Sequence, residues 1–432
     1  MADHDERSRA VSAARELDLS TPEFLENEFE TYRLLREHLP IARAENAGPA
    51  TMGRTGGAWF LTRYDDVAEV LRRPESFSNG AKIAPIRPWI PQQVDPPAQT
   101  EYRRILNSRF TPAAANQLEP HILEFGETLV DEMLTRDEFD FVADFADPFP
   151  CVIFCELMGF PLEDYPQLMD WKNALMHNSD GHVRGRETAI EMLRSMGLEV
   201  DGEERLPTEA IQKLGVKIVT DLYAYFAKLL DERRKEPQND IITVLIDALY
   251  EEKRPLTQEE LEDYMLLLFM GGLDTVASTL GLIVRHFAEH PDDRREFVSL
   301  MEDPDRVADA VEELVRFHAI VTPPRRLLSD LSFHGALFRS DDIVSCSTPS
   351  ANRDPEQFPD PERLILDRHP NRHLGFGLGP HRCLGIHLAR RELRIGLQVL
   401  HRRLPDYRLH PERPPKPFGG MKGMGSLWLV KG

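Results

Sequence analysis

The chain has 432 residues, 41% hydrophobic and 29% charged, close to ordinary globular usage, which excludes a mainly disordered or collagen-like chain. Asp and Glu number 73 against 52 Lys and Arg, a net charge of −21. That balance excludes nucleic acid as a general partner, because phosphate binding needs clustered cations. Four cysteines do not make a disulfide framework. No apolar run approaches the ~18 residues of a membrane helix, and the charged start MADHDERSRAVSAAREL lacks the apolar stretch of a secretory signal. These features predict a cytoplasmic, enzyme-sized protein with no membrane partner.

Residues 1–20 are polar and expected to be loosely held. The segment WFLTRYDDVAEVLRRPESF (59–77) reads as strand, turn and helix, ended by Pro74. Five prolines in 79–97 block regular structure and predict a long surface loop. From about 100 to 320 apolar residues recur at three and four, as in LVDEMLTRDEFDFV and IVTDLYAYFAKLLDERR, the helical period. Thr257 and Glu260 have the spacing of a capping box, and Leu256 and Leu261 that of a hydrophobic staple. The helix they open is expected to run unbroken to about His290 and, being apolar nearly all round, to be buried. Strand-like pieces (FLTRY, LSFHG, IVSCST, SLWLV) are few. The fold class is therefore mostly α with small β-sheets, in one unit spanning 1–432 without an obvious linker.

The most informative segment is FGLGPHRCLGIHLARREL, 376–393, with Phe376, Gly377, Gly379, His381, Cys383 and Gly385. Its glycines let the backbone turn tightly beside something bulky. A cysteine just before a helix has its thiolate favoured by the helix N-terminus, which suits an axial ligand to heme iron. With these positions in order, the chain resembles the cytochrome P-450 superfamily of heme-thiolate monooxygenases, in its bacterial soluble class. The string GGLDTV, with IPQQVDPP upstream and CLGIHLARRE downstream, is most similar to the camphor-hydroxylase branch.

The resemblance covers most of the chain and implies heme b between the long helix and the cysteine loop. Cys383 would be the axial thiolate and the only metal ligand, with Phe376, Gly377 and Gly271 beside the ring. Glu313 and Arg316 match the family's E-x-x-R, whose third partner would be Arg363 of Pro361–Glu362–Arg363–Leu364, a structural set. His381, Arg325, Arg103 and Gln99, the last standing where the family often has His, would hold the propionates. Sequence does not choose between Arg103 and Arg104 or between Arg325 and Arg326.

Asp274 and Thr275 in MGGLDTVAST match the family's [AG]-G-x-[DE]-T, an acid–alcohol pair that delivers protons during dioxygen cleavage. Substrate walls would come from Trp89, Leu267, Met270, Val321, Thr322, Gly420 and Met421, and Lys82 and Arg87 raise the idea of an anionic substrate group. The implied function is insertion of one atom of O2 into a small, mainly apolar molecule by a monomeric enzyme. A [2Fe–2S] ferredoxin, served by an NAD(P)H-dependent ferredoxin reductase, would supply electrons. Six arginines in 367–394 (368, 372, 382, 390, 391, 394) suggest where an acidic ferredoxin docks. A peroxygenase or a non-oxygenative rearrangement on the same heme is the alternative, and a heme sensor is a further one; the Asp274–Thr275 pair disfavours both. Cys151 and Cys155 lack the histidines of a zinc set and are expected in the core.

Overall fold

The computed structural model describes residues 2–44, 57–80, 86–177, 183–200 and 206–432; Lys82 lies outside them. Residues 2–16, expected to be loosely held, form α1 (Ala2–Glu16). Ala10, Ala14 and Leu17 are buried against α2 (Pro22–His38). Apolar residues at helical spacing bury one face even in a polar stretch. β1 (Ile41–Ala44), β2 (Ala58–Leu61), α3 (Tyr64–Arg72) and β3 (Phe77–Ser78) follow, so 59–77 is the expected strand, turn and helix.

The helical half comprises α4 (Ala98–Leu106), α5 (Pro112–Met133), then after β4 (Glu138–Asp140) α6 (Pro148–Met158), α7 (Tyr165–Met176) and α8 (Val183–Ser195). It continues with α9 (Thr208–Lys235) and α10 (Ile241–Asp247), the hairpin β5 (Leu249–Tyr250) and β6 (Arg254–Pro255), and α11 (Gln258–Gly272), α12 (Thr275–Glu289), α13 (Pro291–Leu300) and α14 (Pro304–Phe317). β7 (Pro324–Leu327), β8 (Leu331–Phe333), β9 (Ala336–Phe338), β10 (Ile343–Cys346) and α15 (Thr348–Ala351) precede the cysteine loop. α16 (Ile386–Arg403) leaves that loop, and β11 (Tyr407–Leu409), β12 (Lys416–Phe418), β13 (Gly423–Ser426) and β14 (Trp428–Lys431) close the chain.

Five strands assemble in the order β1-β2-β10-β7-β3. β10 runs parallel to β2 with Val344 opposite Trp59, and β7 antiparallel to β10 with Arg325 opposite Val344. Successive residues of a strand face opposite sides. Phe60 accordingly packs with Tyr32 and Leu17 on one face, and Leu61 with Val67 and Phe77 on the other. The largest core cluster joins α5, α6, α9, α11, α12, α14 and α16.

The capping box is present: Thr257 Oγ1 accepts from Glu260 N at 3.2 Å, and Glu260 Oε2 from Thr257 N at 2.8 Å. Leu256 and Leu261 are both buried. The helix it opens does not run unbroken to His290. It ends at Gly272 and restarts at Thr275, with Asp274 outside helical geometry at φ −133° and ψ −35°. Three contacts fix the break. The Phe154 ring presses on Gly272 so closely that a Cβ there would lie 2.3 Å from it. Thr275 Oγ1 donates back to Gly271 O at 3.2 Å, a bond that bends helices. The Cys151 thiol donates to the freed Leu273 carbonyl at 2.8 Å. Residues 258–289 hold a window long and apolar enough to cross a membrane, and 67% of that window is buried inside the protein.

Candidate active site

The break in α11–α12 faces the cysteine loop across a cavity of about 2100 Å³. Small-molecule sites usually measure ~300–1,000 Å³, so this one has room for a cofactor and a substrate together.

The loop is aimed from behind by a buried ionic set. On α14, Arg316 Nε and Nη2 donate to the two oxygens of Glu313 at 2.7 and 2.8 Å, with both side chains fully buried. The third partner is not Arg363, whose side chain is exposed and contributes only its carbonyl, to Arg316 Nη2 at 3.2 Å. Arg368 folds back instead, its Nε 3.1 Å from both Glu313 oxygens. Arg368 Nη1 also donates to Pro359 O at 2.7 Å, so it closes the turn from which it projects. Arg316 Nη1 reaches Asn352 O at 2.7 Å, and Asn352 Oδ1 accepts from Leu374 N at 2.7 Å. Gly377 N then donates to Leu374 O and Cys383 N to Phe376 O, each at 2.9 Å. Gly379, at φ +73°, passes so close to α3 that a Cβ would lie 2.4 Å from Leu71 O. The helix that follows is capped by Gly385 and begins at Ile386.

The Cys383 side chain is accessible, and the surface it opens onto is the cavity. Burial in the surrounding protein pushes its thiol up, outweighing the Gly385 N–H and the Arg103 charge that favour the thiolate. The expected helix-end preference for thiolate is thus not the net result; a bound metal ionises a coordinating thiol outright.

His381, Arg325 and Arg103 line the same cavity. His381 Nε2 is buried with no hydrogen-bond partner among the described residues, and burial together with Arg325 and Arg103 pushes its imidazole down to about 4. Arg325 is 3% exposed, and the one hydrogen bond that its side chain makes among those residues goes from Nη1 to Pro324 O at 2.8 Å. Buried donors left this way need an anion, which is what heme propionates supply. Gly271 adds bare backbone where a Cβ would meet nothing within 4 Å. The residues fit heme, with Cys383 as ligand. Gln99 does not join the propionate set: it lies off the cavity, and its amide donates to Pro380 O at 2.7 Å, tying α4 to the loop.

Thr275 borders the cavity, as do Phe376, Gly377, Trp89, Leu267, Met270, Val321, Thr322, Gly420 and Met421. Asp274 does not border it. Its carboxylate is buried behind the break, 2.5 Å from His177 Nε2 and 3.3 Å from Lys172 Nζ. Burial lowers the proton affinity of Lys172, but Asp147 and Asp274 outweigh it and hold the ammonium above the ordinary lysine range. Arg87 also lies off the cavity. It donates to Glu262 at 2.8 Å and Asp263 at 3.0 Å and covers the Tyr223 ring at 4.2 Å, so it is not the partner of an anionic substrate group. Cys151 and Cys155 are buried core residues.

Sequence reasoning missed Arg368, Lys172, His177 and the cavity residues Ile211, Val219, Thr279 and Glu392. Charge pairing that spans 55 or 97 residues leaves no local pattern.

Comparisons with known proteins agree with this geometry. The family model for cytochrome P450 matches residues 52–297 and 306–427. A mycinamicin IV hydroxylase/epoxidase of Micromonospora griseorubida is 34% identical over 86% of this chain and 88% of its own. A steroid C26-monooxygenase of Mycolicibacterium smegmatis is 31% identical over 93% and 92%. The crystal structure of a Bacillus megaterium protein in complex with testosterone superposes with a TM-score of 0.79 at 28% identity, covering 95% of this chain and 99% of that one. With Cys383 on a cavity that also takes in the buried Arg325 and the half-buried Arg103, and with these relatives along most of its length, the chain belongs to the cytochrome P450 family, whose members hold heme through a cysteine thiolate.

Proposed function

We propose that this monooxygenase inserts one atom of O2 into a bulky, mainly apolar organic molecule in the cytoplasm, using electrons from a ferredoxin. The observation that carries the reading is the placement of Cys383 and the Thr275 hydroxyl on one cavity, with Asp274 directly behind the helix break. Heme bound to Cys383 supplies dioxygen activation, which thiolate donation favours. The chain's residues do the rest. Arg103, Arg325 and His381 hold the propionates. The Thr275 hydroxyl holds a proton at the cavity wall, and Asp274, anchored on His177 and Lys172, replenishes it.

The cavity of about 2100 Å³, lined in part by Leu267, Met270, Ile211, Val219, Val321 and Trp89, leaves room for a bulky substrate beside heme. The names of two relatives mention mycinamicin IV and a steroid, and solved neighbours are complexed with testosterone and erythromycin B; a bulky apolar skeleton is common to them. Arg372, exposed beside the cysteine loop, and the exposed Arg72 of α3, which adjoins the loop at Gly379, support an acidic electron donor.

The reduced, CO-bound optical spectrum tests the core of the reading. The red-shifted thiolate band should vanish in Cys383→Ala and persist in Cys346→Ala, whose cysteine is buried in β10. Hydroxylation should require O2, ferredoxin and reductase. Turnover with hydrogen peroxide but not with that system would replace it with the peroxygenase alternative. Screening bulky apolar compounds for the low-spin to high-spin optical shift would identify the substrate.

A further inference from the structure

Of the 13 methionines, three among the described residues border the active-site cavity. Met176 ends α7, Met270 stands in α11 one residue before Gly271, and Met421 lies in the turn between β12 and β13. Each is half-buried. The turn is pinned on both sides of Met421: Gly420 N donates to Leu19 O at 3.0 Å and Lys422 N to Ile320 O at 3.2 Å. The His177 and Phe418 rings, with centroids 4.4 Å apart, hold the end of α7 against β12.

The other described methionines lie away from it. Met133, Met158, Met169, Met265, Met301 and Met424 are buried, and Met192 and Met196 are half-buried but off the cavity. Methionine is flexible and fills irregular gaps, which suits a wall that must fit bulky ligands. Leucine at the neighbouring Leu267 supplies apolar surface there without a sulfur. The thioether brings a second property: it is readily oxidised to a sulfoxide, which turns a flexible apolar side chain into a polar one and is reversible. The other sulfur bordering the cavity among the described residues, that of Cys383, is taken up by heme iron. The three thioethers are therefore the free sulfurs facing the space in which O2 is reduced.

We infer that Met176, Met270 and Met421 are modification sites: hydrogen peroxide formed in the cavity by turnover without product oxidises them to sulfoxides, and the sulfoxides weaken the hold on apolar ligands. The inference rests on the monooxygenase reading. In a wasted cycle O2 takes two electrons from the donor and two protons and leaves as H2O2. The thioether sulfur attacks one peroxide oxygen; the S–O bond forms, the O–O bond breaks, and the other oxygen departs as water. Sulfur loses two electrons and peroxide gains them, so nothing is consumed beyond O2 and the electron donor. The new S–O group is a hydrogen-bond acceptor on a cavity lined by Leu267, Val276 and Val321, where an unpaired polar group is unfavourable. An enzyme that spends O2 without product thus loses its grip on apolar molecules until a methionine sulfoxide reductase restores the thioethers.

The test reduces the heme-loaded enzyme in air with ferredoxin, reductase and NADPH, without substrate and with catalase in solution to remove peroxide that escapes; a second sample is kept free of O2. Peptide mass spectra should show one added oxygen at Met176, Met270 and Met421 in the aerobic sample alone, with Met192 and Met196 unchanged. Phenylimidazole, whose nitrogen binds heme iron and whose phenyl ring meets the cavity wall, should then bind about tenfold more weakly, the effect of one unpaired polar group. Bare imidazole should bind as before, and methionine sulfoxide reductases should restore the phenylimidazole affinity. The triple variant Met176→Leu, Met270→Leu, Met421→Leu uses volume-conserving swaps and should bind phenylimidazole equally before and after aerobic reduction. Unmodified cavity methionines after sustained O2 uptake, or oxidation spread equally to Met192 and Met196, overturns the inference. So does a loss of phenylimidazole affinity in the triple variant as large as in wild type. Absence of any O2 uptake would bring down the monooxygenase reading and this inference with it.

Discussion

Arg368 donates from Nε to both carboxylate oxygens of Glu313 at 3.1 Å, and it does so from a turn whose carbonyls it also binds. The pair connects α14 to the segment that delivers the cysteine loop. Arg368→Ala removes one of two cations from a fully buried carboxylate, and breaking a buried pair typically costs ~3–5 kcal/mol. Denaturant unfolding should register a loss of that order, and heme content read from the reduced CO spectrum should fall with it. Arg363→Ala should stay within about 0.5 kcal/mol, as exposed substitutions do. Equal losses in the two variants would show that the triad is misassigned.

Asp274→Asn and Thr275→Ala should separate two functions that adjoin in sequence but not in space. Thr275 borders the cavity and Asp274 lies behind it. Thr275→Ala should still consume O2 but release more hydrogen peroxide. Asp274→Asn should slow product formation and also destabilise the fold by a few kcal/mol, about what an uncompensated buried charge costs, because Lys172 keeps only Asp147, at 3.6 Å. Both should keep the thiolate spectrum. Wild-type rate and coupling in both would remove the pair from proton delivery.

The contrast between these sites shows what sequence carries. In the cysteine loop each residue type answers a local demand: Gly379 passes under Leu71, and Cys383 stands just ahead of a helix. Such demands are visible in the string itself. The break at Leu273–Asp274 was not, because two glycines are compatible with a widened continuous helix as well as a broken one; Phe154 and Cys151, more than 100 residues earlier, decide it. Arg363 and Arg368 offered Glu313 the same chemistry, and the turn through Pro359–Arg363 selected the second. Glu392 sits in the run ARREL, which reads as a solvated face, yet two of its arginines turn outward to Glu312 and Glu119 while the glutamate turns in.

Arg87 holds the loop after residue 86 to α11 through Glu262 and Asp263 and stacks on Tyr223 of α9. It acts as a fastening between three elements near the cavity. Arg87→Ala should leave the affinity difference between neutral and carboxylate compounds unchanged, while substrate association and dissociation both quicken as the loop loosens. Stopped-flow recording of the optical shift would measure this. Selective weakening of carboxylates in Arg87→Ala would restore the anionic-substrate idea.

Glu312 gives a pH dependence of definite sign. Burial pushes its carboxyl up, but hydrogen bonds from His373 at 3.2 Å and Arg390 at 2.5 and 2.6 Å outweigh burial and hold it at about 2. A carboxyl lowered from about 4.5 to about 2 contributes stability that is full above the upper value and lost as pH falls through the lower one. The contribution is about 3 kcal/mol at neutral pH. Unfolding free energies of wild type and Glu312→Gln should therefore differ by a constant amount from pH 7 to 5 and converge below it. A gap that ignores pH throughout would mean that Glu312 is not ionised in the fold.

The electron donor should be read out by salt. Of the six arginines at the cysteine loop, Arg368 is bound by Glu313, Arg390 by Glu312, and Arg391 and Arg394 by Glu119. Arg372 and Arg382 are exposed and have no ion pair among the described residues, and the exposed Arg72 of α3 adjoins the loop at Gly379. Burial lowers the His387 imidazole, and Arg390, Arg382 and Arg391 lower it further, so the local field stays positive on a chain of net charge −21. A cationic patch on an acidic protein attracts and orients an acidic partner, and exposed charges are screened within about 8 Å at physiological salt. Reduction by an acidic ferredoxin should slow as salt rises, and Arg372→Glu and Arg72→Glu should slow it further without altering the optical spectrum, whereas Arg382 borders the cavity beside Cys383 and its reversal would disturb the ligand as well. Arg390→Glu is a different experiment: it sets a carboxylate against Glu312 and should lower stability first. Salt-independent reduction, with Arg372→Glu and Arg72→Glu both silent, would take this face out of electron transfer.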